Sequence, residues 1–455
     1  MTHEKLIGKW GVIFERATRQ FKPGTPSVVS IKTYTPLGTR DWRLELHDHH
    51  AARTLAVGDV FVMRAGAEGH AVAFWGCHGA VVEDVTIYAA ASLCMALVQC
   101  EGDLVVRRVL VCRRPNTTRL LSGNADGIHC QSLRKGPLLE QCYFEGMTDD
   151  GINIYDRPRV VTQVISPTEL CVQHTYAMRP GDRIQVMDPC TGQVRGEANV
   201  MTVPDQRHIV FSPPIEGIRT STNILSGITS IPNCPDADVV FNLSTCGAGY
   251  IVRNNYFGDF RGRGVLVKGV QGLVESNVIE RISGPGIVIA NEPTWPEGPV
   301  PRDVVVRGNR LNAVGLDGSS GHMAAIMIAA MGLKGSSEYP GIKNIHVEGN
   351  LLVNPPAVGL WIHACAGVQL VDNRIESDGL RMAPSSVGVS LADCTNVVVD
   401  RLTMSDLRPH TRCGVEIQPS VAAGETGVRI SGLDTQLVPT AVPVLDHRLP
   451  HLNNH

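Results

Sequence analysis

The chain has 455 residues, a formal net charge of −3, 43% hydrophobic residues, only 5% aromatic ones and 46 glycines. That near-neutral balance gives no electrostatic case for nucleic acid or an anionic membrane surface as partner, and no apolar run reaches the ~20 residues needed to span a bilayer. The length exceeds one ordinary compact core, leaving several domains or a solenoid whose repeats add linearly.

From the N-terminus, residues 1–75 read as a region with a small β module. The first twenty residues mix Lys, Glu and Arg with apolar residues and hold no signal-peptide core, which favours the cytoplasm. Leu55-Ala-Val-Gly-Asp-Val-Phe-Val-Met63 reads as a strand entered through a Gly58-Asp59 turn. His47, His49 and His50 around Asp48 read as a surface run rather than a metal site.

A different rhythm begins near residue 76: a short apolar strand, a polar pair and another apolar pair. It is weak at Val81-Val-Glu-Asp-Val-Thr-Ile87 and Leu104-Val-Val-Arg-Arg-Val-Leu110, then clear at Leu138-Leu-Glu-Gln-Cys-Tyr-Phe144. Later copies centre on Asn255, Asn277, Asn309, Asn350 and Asn373, at intervals of 22, 32, 41 and 23. A minimum period near 22 with insertions marks a solenoid. The runs are short, rich in Val and Ile and broken by Gly, Asn and Asp, so they are strands. The expected fold is all-β, a right-handed parallel β-helix of about ten coils with small β-barrel-like inserted modules. A large β-sandwich would not return the same asparagine at the same phase. The asparagines are expected to stack as a hydrogen-bonded ladder and to occupy the left-handed corners of the chain.

The thirteen cysteines are scattered without any Cys-x-x-Cys pair. Zinc therefore lacks its ligand spacing, and buried thiols in a reducing compartment are the expected state. Cys77, Cys94, Cys100, Cys130, Cys142, Cys365 and Cys394 suit interior stacks.

The first part of the helix, residues 76–159, carries Asn124-Ala-Asp-Gly-Ile-His-Cys130 and Thr148-Asp-Asp-Gly-Ile-Asn-Ile154. Their aspartates lie one repeat apart (149 − 126 = 23), so Asp126 should stack on Asp149 and Asp150. Parallel strands sit ~4.8 Å apart, and like charges that close push a pKa upward. This is what a general acid beside a general base requires; the bland alternative is corner chemistry, with carboxylates accepting backbone N–H bonds. Alternation along the strand puts Asn124, Asp126 and Asn153 on one face and His129 on the other, as a buried histidine or a substrate contact.

Residues 160–225 break the rhythm and read as an inserted barrel-like module, with a Gly181-Asp182 turn echoing Gly58-Asp59. Placed directly after the Asp149-Asp150 coil, it would wall one side of the carboxylates. The second part of the helix spans residues 226–440. In it, Arg261 and Arg263 are open to substrate contact or pairing with Glu280. The loop Asn291-Glu-Pro-Thr-Trp-Pro-Glu-Gly-Pro299 sets Trp295 between Glu292 and Glu297, an arrangement for stacking a sugar or a Pro-stiffened loop with an inward Trp. Residues 441–455 read as a tail.

The Asn124-Ala-Asp-Gly-Ile-His and Thr148-Asp-Asp-Gly-Ile-Asn-Ile motifs, the insert after them, the Gly-Asp strand before them and the Glu292 to Pro299 loop together resemble glycoside hydrolase family 110, the inverting exo-α-1,3-galactosidases. The likeness covers roughly residues 40 to 400. It implies Asp126 as proton donor, Asp149 and Asp150 as the pair that holds and deprotonates water, and no cofactor or metal. An inverting mechanism needs one protonated and one ionised carboxylate, ~6.5–9.5 Å apart. Asn124, His129, Asn153, Arg263, Glu292, Trp295 and Glu297 are the expected substrate contacts. The implied partner is an α-galactoside glycan, and a periplasmic or secreted location, against the cytoplasmic expectation above. The chain is shorter than expected for that family. A flank of the helix could form a homodimer, although no patch marks one.

Rival readings are a polygalacturonase-like hydrolase, whose downstream His-Gly and Arg-x-Lys have no convincing equivalent here, a calcium-dependent polysaccharide lyase, and a non-catalytic glycan-binding β-helix.

Overall fold

The computed structural model describes residues 9–47, 49–64, 69–220, 236–318, 323–377 and 386–449. Asp48, within the histidine run, lies outside them. Three long parallel sheets of 10, 11 and 10 strands wind as a parallel β-helix. Each coil gives one strand to each sheet. The eleven-stranded sheet opens at Val72–Trp75 and closes at Val442–Asp446. The helix therefore starts before residue 76, and part of the expected tail is its last strand. The sequence pattern misses both ends because a terminal coil has only one neighbour to keep in phase.

The core is a continuous column of stacked apolar side chains. Ile128, Ile152, Val265, Ile287 and Ile326 lie in register on successive coils and are fully buried, each such burial stabilising by ~1.5–3 kcal/mol. Phe144 and Phe257 stack with ring centroids 4.8 Å apart. The twelve described cysteines are free thiols, and Cys77 alone of the seven expected inside is only partly buried.

The asparagine ladder is present. Asn255, Asn277, Asn309 and Asn350 each donate Nδ2–H to the Oδ1 of the next asparagine, at 2.9–3.0 Å, ending on Asn373. The left-handed corner is one residue earlier than expected: Asn254, Ser276, Gly308, Gly349 and Asp372 have φ between 53° and 62°. The ladder asparagines instead turn inward, and Asn255, Asn277, Asn309 and Asn350 spend their second Nδ2–H on a carbonyl of the preceding coil.

Between the strand Ile152–Tyr155 and the next coil the chain makes a closed six-stranded barrel. It begins at Arg159–Ser166 and closes with Val239–Asn242, so the insert runs past residue 225. Near the N-terminus, Trp10–Phe14, Val29–Pro36, Trp42–Leu46 and Val60–Met63 form an antiparallel sheet, packed on the helix through Phe14, Phe21, Leu120 and Leu316. Both Gly-Asp turns share one device, a carboxylate accepting the N–H three residues back: Asp59 from Ala56 at 2.7 Å and Asp182 from Arg179 at 2.9 Å.

Candidate active site

The strand register assembles the site. Ile128 pairs with Ile152 and Ile152 with Val265, so one coil is 152 − 128 = 24 residues at this point. Asp126 therefore lines up with Asp150 and then with Arg263. Asp149 is offset onto the column of Ala125 and Gly262. Gly262 has φ +128°, and a Cβ there would sit 2.4 Å from the Asp149 carbonyl oxygen. Only glycine lets the coil carrying Arg261 and Arg263 approach so closely.

Asp126, Asp149 and Asp150 present oxygens all within 4.8 Å of one another. Their partners differ. Asp150 is buried and clamped by Arg263: its Oδ1 accepts from the backbone N–H at 2.9 Å and from Nε at 2.8 Å, its Oδ2 from Nη2 at 2.7 Å. Asp149, its side chain 40% exposed, accepts from Arg261 Nη1 at 2.8 Å. Burial, then the charges of Asp150 and Asp126, push its pKa up to about 7 against Arg261. Asp126 is buried, and that burial, with Asp150 and Glu297, raises its pKa despite the hydrogen bond from His129.

His129 lies on the Asp126 side of the strand, not opposite. Strict alternation starts only at Ile128, the first strand residue, so it does not carry back to Asp126. His129 Nδ1 is 2.6 Å from Asp126 Oδ2, and Nε2 is 2.9 Å from Tyr155 Oη. Tyr155 spends its single proton on Gln131 Oε1 at 2.8 Å, so its oxygen accepts from His129 Nε2–H. That fixes a proton on Nε2, and the remaining proton is shared between His129 Nδ1 and Asp126. Burial disfavours the imidazolium, but the Asp126 hydrogen bond outweighs it and raises the His129 pKa.

Beyond them, fully buried Lys268 fills its three N–H bonds with Glu297 Oε2 at 2.5 Å, Glu292 Oε2 at 2.9 Å and Asn153 Oδ1 at 3.0 Å. Asn153 also donates to Glu297 at 3.2 Å, and Glu292 accepts from Arg263 Nη1. Burial alone would raise the Glu292 pKa, but Lys268 and Arg263 hold it at about 2. Five carboxyl groups thus face three permanent cations, and full ionisation would leave −2 (3 − 5). Protons on Asp126 or His129, and on Asp149, relieve that excess.

The expected contacts therefore divide. Asn153, Arg263, Glu292 and Glu297 meet the carboxylates or Lys268. Arg261 and Arg263 pair with aspartates of the site, whereas Glu280 pairs with Arg281. Trp295 stands 67% exposed at the tip of the loop that Glu292 and Glu297 pinch at its base, so it faces outward. Asn124 supports the turn, its Nδ2 donating to Ala91 O and its carbonyl accepting from Arg64 Nε. Trp10 of the N-terminal module lies against the centre, 5.6 Å from the Arg261 guanidinium, and the segment that leads into the barrel is joined to the loop of Glu292 and Glu297 by the bridge between Asp156 and Gly298. Lys268, Tyr155, Gln131 and Trp10 escaped the sequence reading. Lys268 did leave a signal, a charge ending the apolar run Val265-Leu-Val.

Fold and site together define a parallel β-helix carrying a recessed carboxylate centre. In sequence, the chain is similar to α-1,3-galactosidases. It is 28% identical to α-1,3-galactosidase B of Bacteroides thetaiotaomicron over 260 residues, 56% of this chain and 41% of that one. It is 28% identical to α-1,3-galactosidase A of Bacteroides fragilis over 60% of this chain and 45% of that one. The chain thus spans less than half the length of these curated relatives. No family profile matches it. Among solved structures, the mannuronan C-5 epimerase AlgE6 A-module of Azotobacter vinelandii aligns over 82% of this chain and 78% of that one, at 10% identity and a TM-score of 0.40.

Proposed function

We propose that this protein is a glycoside hydrolase that removes terminal α-1,3-linked galactose. Asp126 gives its proton to the glycosidic oxygen, and Asp149 and Asp150 hold and deprotonate the attacking water. The observation that carries this reading is the 2.6 Å contact of His129 Nδ1 with Asp126, whose oxygens lie within 4.8 Å of those of two further carboxylates, one of them pushed up to about 7. A base works best with a pKa near the working pH, which suits Asp149. Asp150, with both oxygens occupied by Arg263, fixes the geometry beside the other two. The sequence likeness to α-1,3-galactosidases supports the substrate class.

Inversion is part of the proposal through the family resemblance. The nearest oxygens of the carboxylates are closer than the ~6.5–9.5 Å separation of carboxyl groups in inverting enzymes, so the stereochemistry is a matter for measurement. A metal is a poor fit: Arg261, Arg263 and His129 already donate to the three aspartates, and a divalent cation would have to displace or repel all three. The direct test is galactose release from an α-1,3-linked digalactoside. Wild type should cleave it and Asp126→Asn should be slower by ~10²–10⁴, the usual worth of a general acid. An Asp126→Asn enzyme of wild-type rate removes Asp126 from the mechanism.

A further inference from the structure

Beside the carboxylate centre lies a separate cavity of about 300 Å³, at the small end of the ~300–1,000 Å³ that ligand sites occupy. Three parts of the chain build it: Gln131 of the helix, the crossing into the barrel with Arg157 and Arg159, and barrel residues His174 and Tyr176. None of these was expected from the sequence to bind anything.

Its chemistry is cationic. Arg157 is exposed, and its guanidinium has no hydrogen bond or ion pair among the described residues. Arg159 is only 3% exposed; its Nη1 donates to Asp156 Oδ2 and Arg157 O, its Nη2 to Tyr176 O, but its buried Nε–H has no acceptor. The adjacent carboxylate, Asp156, is fully buried and taken up by Ser132, Arg159 and the Asn242 N–H, so among the described residues no carboxylate pairs with Arg157. At the rim, Tyr176 and Trp75 are both exposed, and both donate to Gln99 Oε1, at 3.2 and 3.0 Å. That tether holds two aromatic rings ready to flank a sugar. Hydrogen bonds link the cavity to the reaction centre: Gln131 lines it and anchors the Tyr155–His129–Asp126 chain.

We propose that this cavity is a subsite for an anionic sugar, one bearing a sulfate ester or a carboxylate, within the same glycan that is cleaved at Asp126. Arg157 takes the oxyanion while Tyr176 flanks the ring. Its role in substrate choice rests on the glycosidase reading above; its binding chemistry does not.

Two measurements test it. In the first, kcat/KM is compared for an α-1,3-linked digalactoside, its counterpart sulfated on the reducing-end galactose, and the corresponding galactosyl-galacturonate, with wild type and Arg157→Ala. The anionic substrates should be favoured by about tenfold or more in wild type, and Arg157→Ala should erase the preference, which a merely structural change would not do selectively. Preference for the sulfated or the uronate compound identifies the oxyanion. In the second, galactose, galactose sulfate and galacturonic acid are titrated calorimetrically into both proteins, with no turnover needed. Equal affinity for neutral and anionic sugars in wild type, or an anionic preference that survives in Arg157→Ala and Arg157→Gln, overturns the subsite. Arg157-dependent anion binding without hydrolysis of any substrate sustains the subsite and refutes the glycosidase reading. Hydrolysis of the neutral digalactoside without Arg157-dependent binding does the reverse.

Discussion

At the scale of single residues, the site works through unequal partners for similar carboxylates. Asp150 has two oxygens locked by one arginine, Asp149 has one contact and partial exposure, and Asp126 shares a proton with His129. On the proposed assignment, the active form needs Asp149 ionised and Asp126 protonated. The rate should therefore rise as pH climbs through about 7, the Asp149 value, and fall again as the raised Asp126 group loses its proton. A rate profile over pH 4–10 checks this, and Tyr155→Phe, which removes the acceptor for His129 Nε2–H, should move the alkaline limb. A profile flat from pH 5 to 9 contradicts the assignment. The same shift acts on stability. A carboxyl whose folded pKa lies above its ordinary 3.8 destabilises the fold increasingly as pH rises from about 4 to 7. Asp149→Asn should thus be more stable than wild type at pH 8 and level with it at pH 3.5. Solvent screens a side chain 40% exposed, so the gain is about 1 kcal/mol, read from thermal melts at the two pH values.

At the scale of elements, register governs what meets what. The paired Asp-Gly-Ile motifs are legible in the sequence because both occupy the same corner on consecutive coils. The 24-residue register that stacks Asp126 on Asp150 rather than Asp149 is not legible, since either aspartate of the pair fits the motif. Arg263 and Lys268 meet Asp150 and Glu297 across sequence separations of 113 and 29, with the whole barrel inside the first, so no local pattern could join them. The ladder was legible because identical asparagines recur in one phase. Its exact place was not, because the left-handed corner is filled by Asn, Ser, Gly or Asp in turn. Asn277→Ala would take the Oδ1 acceptor from the Asn255 backbone N–H and one of its Nδ2–H groups, and a donor from the Val252 carbonyl, all in the interior. At ~1–3 kcal/mol for a buried group, a loss of about 3 kcal/mol is expected in guanidinium unfolding. Gly262→Ala tests the approach of the next coil. With a Cβ 2.4 Å from the Asp149 carbonyl it should cost activity at least as steeply as stability, since Arg261 and Arg263 shift together.

At the scale of the whole molecule, the solenoid is a rack on which the site is built by consecutive coils, with the N-terminal module reaching it through Trp10. The helix itself supplies Asp126, Asp149, Asp150, Arg261, Arg263 and Lys268, and Trp10 of the N-terminal sheet packs against the Arg261 guanidinium. Because Arg261, Arg263 and His129 already occupy the aspartates, catalysis should be indifferent to chelator, and assays with EDTA and with added calcium should give the same rate. Strong calcium dependence would favour the lyase reading. The most direct measurement is proton NMR of the anomeric region during digestion of an α-1,3-linked digalactoside by wild type and Asp126→Asn. The account predicts β-galactose as the first product of wild type, mutarotating later to the α anomer, and no early product from the variant. First release of α-galactose, or equal release by Asp126→Asn, would contradict it.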